Sequence, residues 1–199
     1  MLHVKRKLQQ SYYVCKKIKH LVNSQILISL FHAMLLSHIR YCIATWCFGN
    51  RTIVKELQII CNRFIRMIYD VDSRESVREV MKENNLLSIY QINFIELAII
   101  MYKISSNTYP TTLGTLLKTS AHHMVTRNRS KFVQSYHRLS TTQCSLSFIG
   151  PKVWNLIPLN LKHDVETSNY ELLSLKKFTK NITTFVTENR DICENCFLF

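Results

Sequence analysis

LQIICNRFIRMIYD, residues 57–70, is the most regular stretch of the chain, and its period decides the fold class. Taken with Ile53, its residues Leu57, Ile60, Cys61, Phe64 and Ile68 recur at three- and four-residue steps, which puts them on one face of an α-helix. The opposite face collects Lys55, Asn62, Arg63 and Arg66. Such a stripe must be covered by other elements, so the segment predicts a core-facing helix with a basic outer face.

Working outward, residues 1–20 carry Lys5-Arg6-Lys7 and Lys16-Lys17 around Tyr12, Tyr13 and Val14, and predict a basic helix. Asn23 and Ser24 can cap a helix to about Ser37, with Ile26, Leu30, Met34 and Leu35 at helical spacing. A short aromatic helix is expected over 41–48, ended by Gly49-Asn50. Asp72 with Glu75 and Ser88 with Gln91 both have capping-box spacing, and Leu87 and Ile92 are placed as a hydrophobic staple. They predict a polar helix to about Asn84 and an apolar helix over 89–105 that runs through the middle of its domain. Asn107-Thr-Tyr-Pro110 reads as a break. Beyond it lie an exposed basic segment (126–132), two alternating stretches (132–136 and 144–149) that could pair as a hairpin, and a tight turn at Gly150-Pro151 into a short helix. A final amphipathic helix is expected over 171–187. The expected class is mainly α: a basic N-terminal helix (1–22), a helical bundle (23–105) and a basic C-terminal α+β lobe (106–199) with a short hairpin.

Composition agrees. The 199 residues contain only three Gly and three Pro, which argues against an all-β or loop-rich chain. The formal net charge of +13 points to an anionic partner, a phosphate backbone or an anionic lipid surface. The charge is segregated: residues 1–55 hold nine Lys or Arg and no acid, and residues 97–163 hold eight and no acid. Seven scattered Cys without a secretory leader favour a reducing, intracellular compartment. The apolar stretches 25–39 and 86–104 are interrupted by His32, Ser37, Gln91, Asn93 and Glu96, so neither is an uninterrupted span of roughly twenty apolar residues.

Six segments, in order, carry a resemblance: LSHIRYCIATW (36–46), LQIICNRFIRMIYD (57–70), NNLLSIYQINF (84–94), TRNRSKF (126–132), SFIGPKVWNLIP (147–158) and FTKNITTF (178–185). Over residues 26–185 the chain resembles the region that follows the polymerase domain in non-LTR, jockey-like retrotransposon reverse transcriptases. The resemblance implies a thumb-like and post-thumb helical region that contacts the RNA and DNA of a template-primer in cytoplasm and nucleus. It also implies an RNA-directed DNA polymerase as parent, with Mg held in that parent's catalytic domain.

This chain does not supply that catalysis. Two-metal phosphoryl transfer needs converging carboxylates, usually an adjacent Asp pair, and no Asp-Asp occurs here. In Tyr69-Asp-Val-Asp72 a valine separates the carboxylates at the end of a helical pattern, where helix termination and capping is the expected role. Candidate nucleic-acid contacts are Lys55, Arg63 and Arg66 on one helix, Arg127, Arg129 and Lys131 in the basic segment, and Lys16 and Lys17; the alternative for each is a solvated face. Trp46, Tyr41, Phe148 and Trp154 could stack on bases but are expected in the core. Cys193 and Cys196 have the spacing of half a zinc knuckle, which His122, His123, His137 or Cys144 would have to complete; one pair is a weak signal, and no zinc is expected. The other partner reading is a domesticated basic helical module that binds an acidic protein or membrane surface. Without a polymerase domain against them, helices such as 25–37 are expected to leave an apolar face open to self-association.

Overall fold

The computed structural model describes residues 2–47, 51–109, 112, 115, 117, 132–134, 138–163 and 172–191. Among the described residues the structure is helical, with no strand and an isolated antiparallel bridge between His163 and Leu172. The chain divides into two units, Met1–Asn93 and Phe94–Phe199. No helix among the described residues is long and apolar enough to cross a membrane.

In the first unit, helix α1 spans Leu2–Ile18 and α2 spans Ser24–Leu30, where the Ile26 N–H donates to Asn23 Oδ1 at 2.9 Å and caps the helix start. The chain continues through a π-helical turn, Phe31–Leu36, into α3, Ser37–Arg40. Cys42 takes a left-handed conformation (φ 52°) and the short α4, Ile43–Trp46, follows. Helix α5, Arg51–Tyr69, carries the predicted stripe: Leu57, Ile60, Cys61, Phe64 and Ile68 are buried, joined by Val54, Ile65 and Met67. Phe64 is the hub, with Tyr12 edge-on at 6.0 Å and Phe31 tilted at 5.3 Å. Leu27, Phe31 and Leu35 close over it as part of one core, while Leu21 and Ile26 stay exposed.

Three helices end on a left-handed residue that is not glycine: Asp70 after α5, Asn85 after α6 (Arg78–Glu83) and Asn107 after α7 (Ile89–Ser105). In each the next residue's N–H reaches back five positions, Val71 to Arg66, Leu86 to Met81 and Thr108 to Lys103, at 3.1, 2.8 and 2.9 Å. That bond closes a Schellman cap. A chain with three glycines uses Asp and Asn instead, the other residues that tolerate this conformation.

Helix α7 begins as predicted. The Ser88 N–H donates to Gln91 Oε1 at 2.8 Å, and the Gln91 N–H donates to Ser88 Oγ at 3.3 Å, a reciprocal capping box. None of its residues is exposed, in keeping with apolar side chains all around it. The division between the units falls within this helix.

In the second unit, α8 (Ser140–Gln143), α9 (Leu146–Leu156), a 3₁₀ turn (Leu159–Leu161) and α10 (Leu175–Glu188) follow. Trp154 is buried between Phe132 at 6.2 Å and Phe178 at 6.0 Å, and the buried Lys162 Nζ stands 4.7 Å from its ring centroid. Tyr102 stacks on Phe178 at 4.7 Å and donates its hydroxyl hydrogen to the Leu173 carbonyl. The Asn155 side chain exchanges two hydrogen bonds with the backbone of Phe132.

Three expectations are corrected. Residues 144–149 form no hairpin strand: Ser145 is the extended residue before α9, and Ile149, Val153 and Trp154 then bury at helical spacing. Gly150-Pro151 is no turn but lies inside α9, where a Cβ on Gly150 would stand 2.6 Å from Met101 Sδ. The glycine serves close packing of α9 on α7. Asp72 and Glu75 form no capping box; the Glu75 N–H donates to the Asp72 carbonyl at 3.2 Å in a turn, and α6 starts after Val77 without a side-chain cap. Trp154 is core as expected, whereas Tyr41 is 79% exposed.

Two outcomes are expected. Phe64→Ala removes the aromatic hub and should cost about 3–5 kcal/mol in denaturant unfolding; a loss under about 1 kcal/mol would contradict the packing. Burial raises the Cys47 and Cys61 thiols to about 12 from 9.0, so their contribution to stability is complete below about pH 9 and is lost as the pH rises through 12. At pH 8 a thiol reagent should modify the exposed Cys42 in the folded chain and reach Cys47 and Cys61 only on unfolding, as peptide mapping would read.

Candidate nucleic-acid interface

Helices α1 and α5 lie side by side and run in the same direction. Lys5 Nζ meets Glu56 Oε2 at 2.7 Å near one end, Tyr12 meets Phe64 midway, and Lys19 pairs with Asp70 at the other. Both ion-paired partners are 51 residues apart, so the register is constant along the pair. Leu8, Ser11 and Cys15 turn inward on α1.

This pairing decides which charges face outward. Glu56 is the sole acid of α5 and Asp70 follows its end, and both are taken by α1 lysines. The outward row of α5 is Arg51, Lys55, Ile59 and Arg63, exposed at four-residue steps with no carboxylate among them. Lys55 and Arg63 stand ~12 Å apart along the axis, the advance of three to four nucleotides of a duplex strand. One flank of the row is bounded by α1 through Glu56. The other is bounded by the start of α7, where the Ile89 N–H donates to Gln58 Oε1 at 2.9 Å.

The outward face of α1 is also free of acids: Arg6, Lys7, Gln10, Tyr13, Lys16 and Lys17 are exposed. Lys17 Nζ stands 4.8 Å from the Tyr13 ring centroid. The α1–α5 register sets Lys16 and Lys17 level with the turn of α5 that holds Arg66 and Met67. Lys16, Lys17, Lys55 and Arg63 thus belong to one two-helix surface. Arg6 and Tyr13 join it, although the sequence reading did not single them out; a helical wheel of residues 2–18 against its buried Leu8, Ser11 and Cys15 would have found them.

Arg66 differs. It is half-buried, and its Nη2 donates to the Glu75 carbonyl at 3.0 Å, bracing the loop after α5. Asp70 and Asp72 also have local roles. Asp70 is the left-handed residue of the α5 cap and partner of Lys19. The Ser73 hydroxyl and the Ser73 and Arg74 backbone N–H groups hold the exposed Asp72 carboxyl below its ordinary range.

Arg127, Arg129, Lys131, Cys193, Cys196, His122, His123 and His137 lie outside the described residues. Cys144 is a half-buried free thiol, and no group of three or more His, Cys, Asp or Glu able to hold a metal occurs among the described residues. Comparison of the chain with protein-family models, with curated proteins and with solved structures gives no match.

Arg63 and Arg66 are expected to separate in a melting experiment. Arg63→Ala should change stability by no more than about 0.5 kcal/mol, whereas Arg66→Ala, which leaves the Glu75 carbonyl without its donor, should cost about 1–2 kcal/mol. Equal melts for the two variants would remove the distinction between surface cation and brace.

Proposed function

We propose that this chain is a non-catalytic, helical, template-holding portion of an RNA-directed DNA polymerase of the non-LTR retrotransposon type, and that it binds the phosphate backbone of a template-primer. The observation that carries the reading is the outward cationic surface of α1 and α5, whose neighbouring carboxylates are engaged by Lys5 and Lys19 and so do not neutralise it. Exposed Lys and Arg neutralise phosphates and release counterions, and Tyr13 beside Lys17 offers an aromatic face to an unstacked base. The six ordered sequence segments supply the family in this reading, and the charge pattern supplies the contact. Phosphoryl transfer belongs elsewhere in such an enzyme, because Asp70 and Asp72 serve a helix cap, an ion pair and a turn rather than a shared metal site.

The test is binding of a labelled RNA–DNA primer-template by the whole chain across a salt series, with heparin as competitor. Lys55→Ala with Arg63→Ala should weaken binding about tenfold or more and flatten the salt dependence by about two counterions. Binding that heparin abolishes at stoichiometric concentration, or that ignores the double substitution, would leave a basic surface with no template-holding role.

A further inference from the structure

We propose that the unit Phe94–Phe199 carries its own site for single-stranded nucleic acid, in a groove between the C-terminal end of α7 and the first turns of α10. The inference rests on the nucleic-acid reading above and adds a ligand class and residues to it.

Two adjoining grooves, of about 500 and 580 Å³, meet at Leu175. The first is lined by Tyr102, Lys103, Ser106, Thr108 and Tyr109. The second is lined by Lys176, Thr179, Lys180, Thr183 and Thr184. The wall of the first is preformed, because Tyr102 is stacked on Phe178 and bonded to the Leu173 carbonyl; the second lies along the exposed side of α10. Both are open to solvent along their length, as an extended strand requires.

Among the described residues the lining contains three lysines and no carboxylate. Lys176 also sits in the first turn of α10, where there is no acid and where the positive end of the helix dipole disfavours a cation. A bound phosphate reverses that sign. Lys176 and Lys180 are one turn apart, ~6 Å along the axis, so they can meet successive phosphates of an extended strand.

The remaining groups select a strand with free bases. Tyr109 is half-exposed at the lip of the first groove, with Lys103 Nζ 5.8 Å from its ring centroid, a pairing that a base can extend by stacking. A duplex keeps its bases stacked inside and offers none to this ring. Thr179 and Thr183 donate their hydroxyl hydrogens to the carbonyls of Leu175 and Thr179, at 2.7 and 2.8 Å. What they present outward is lone pairs, which accept from base N–H groups or a ribose 2′-hydroxyl.

The experiment uses the full chain and a fluorescent octauridylate carrying one 4-thiouridine, read by anisotropy and by photocrosslink mapping. Lys103→Ala, Lys176→Ala and Lys180→Ala together should weaken octamer binding about tenfold or more and lower the salt slope by about two. Tyr109→Leu, which leaves charge unchanged, should weaken it about fivefold. Crosslinks should map to Tyr109 and to α10. Circular dichroism of each variant checks that its helices are intact. The site is overturned if the triple substitution changes octamer affinity less than twofold, or if crosslinks fall only within residues 1–93. Primer-template binding that persists beside such a result removes this groove alone, whereas no binding of either ligand removes the nucleic-acid reading as well.

Discussion

The parallel pairing of α1 with α5 is the constraint on which the first unit depends. It brings Tyr12 edge-on to the Phe64 hub with Leu8 and Cys15 buried in the same core, fixes the direction of the N-terminal helix and determines the fate of the nearby acids. An ion pair at a half-exposed surface contributes at most about 1 kcal/mol. Lys5–Glu56 and Lys19–Asp70 therefore do not hold the helices together; buried apolar area does that. What the two pairs set is register and charge arrangement: engaging Glu56 and Asp70 within the fold leaves Lys55, Arg63, Lys16 and Lys17 uncompensated on the outside. The basic character of the surface is thus a product of packing as much as of composition.

How much of this was legible in the sequence depended on the range of the interaction concerned. The α5 stripe and the Ser88–Gln91 box are contained within one turn or one face of a helix, and both were readable, although Ile53 is only half-buried and Val54, Ile65 and Met67 widen the stripe. The mainly helical class followed from these periods and from scarce Gly and Pro. Misreadings arose where a distant group decides. Residues 144–149 satisfy alternation and helical spacing equally, and packing of Ile149, Val153 and Trp154 selects the helix. Gly150 looked like a turn because its role depends on Met101, far away in the chain. Asp72 with Glu75 has the right spacing, but a turn claims the Asp72 carbonyl before a helix can form.

The candidate surface shows the same division. Lys55 and Arg63 could be placed outward by wheel geometry alone. Arg66 falls on the same wheel face, yet its role as a brace depends on where the loop carrying Glu75 returns. That Lys5 and Lys19 meet Glu56 and Asp70 is invisible in spacing, because a constant offset of 51 residues appears only once two helices are known to be parallel. The groove lysines of α7 and α10 escaped for a related reason: Lys103 and Lys176 belong to separate segments, which tertiary contacts such as the Tyr102–Phe178 stack draw together.

The parallel orientation also bears on the order in which the chain can be built. Helix α1 can meet the π-helical turn and α3 once they are made, but its ion-pairing partners on and after α5 lie 51 positions further along the chain. At a translation rate of about 5–20 residues per second that distance takes ~3–10 s. Through this interval α1, a 17-residue helix near the length at which helices are only marginally stable in water, has only part of its packing in place. The part of its face that α5 covers is then open to chaperones or to the nascent chain on a neighbouring ribosome, and the core around Phe64 closes only after α5 has cleared the exit tunnel.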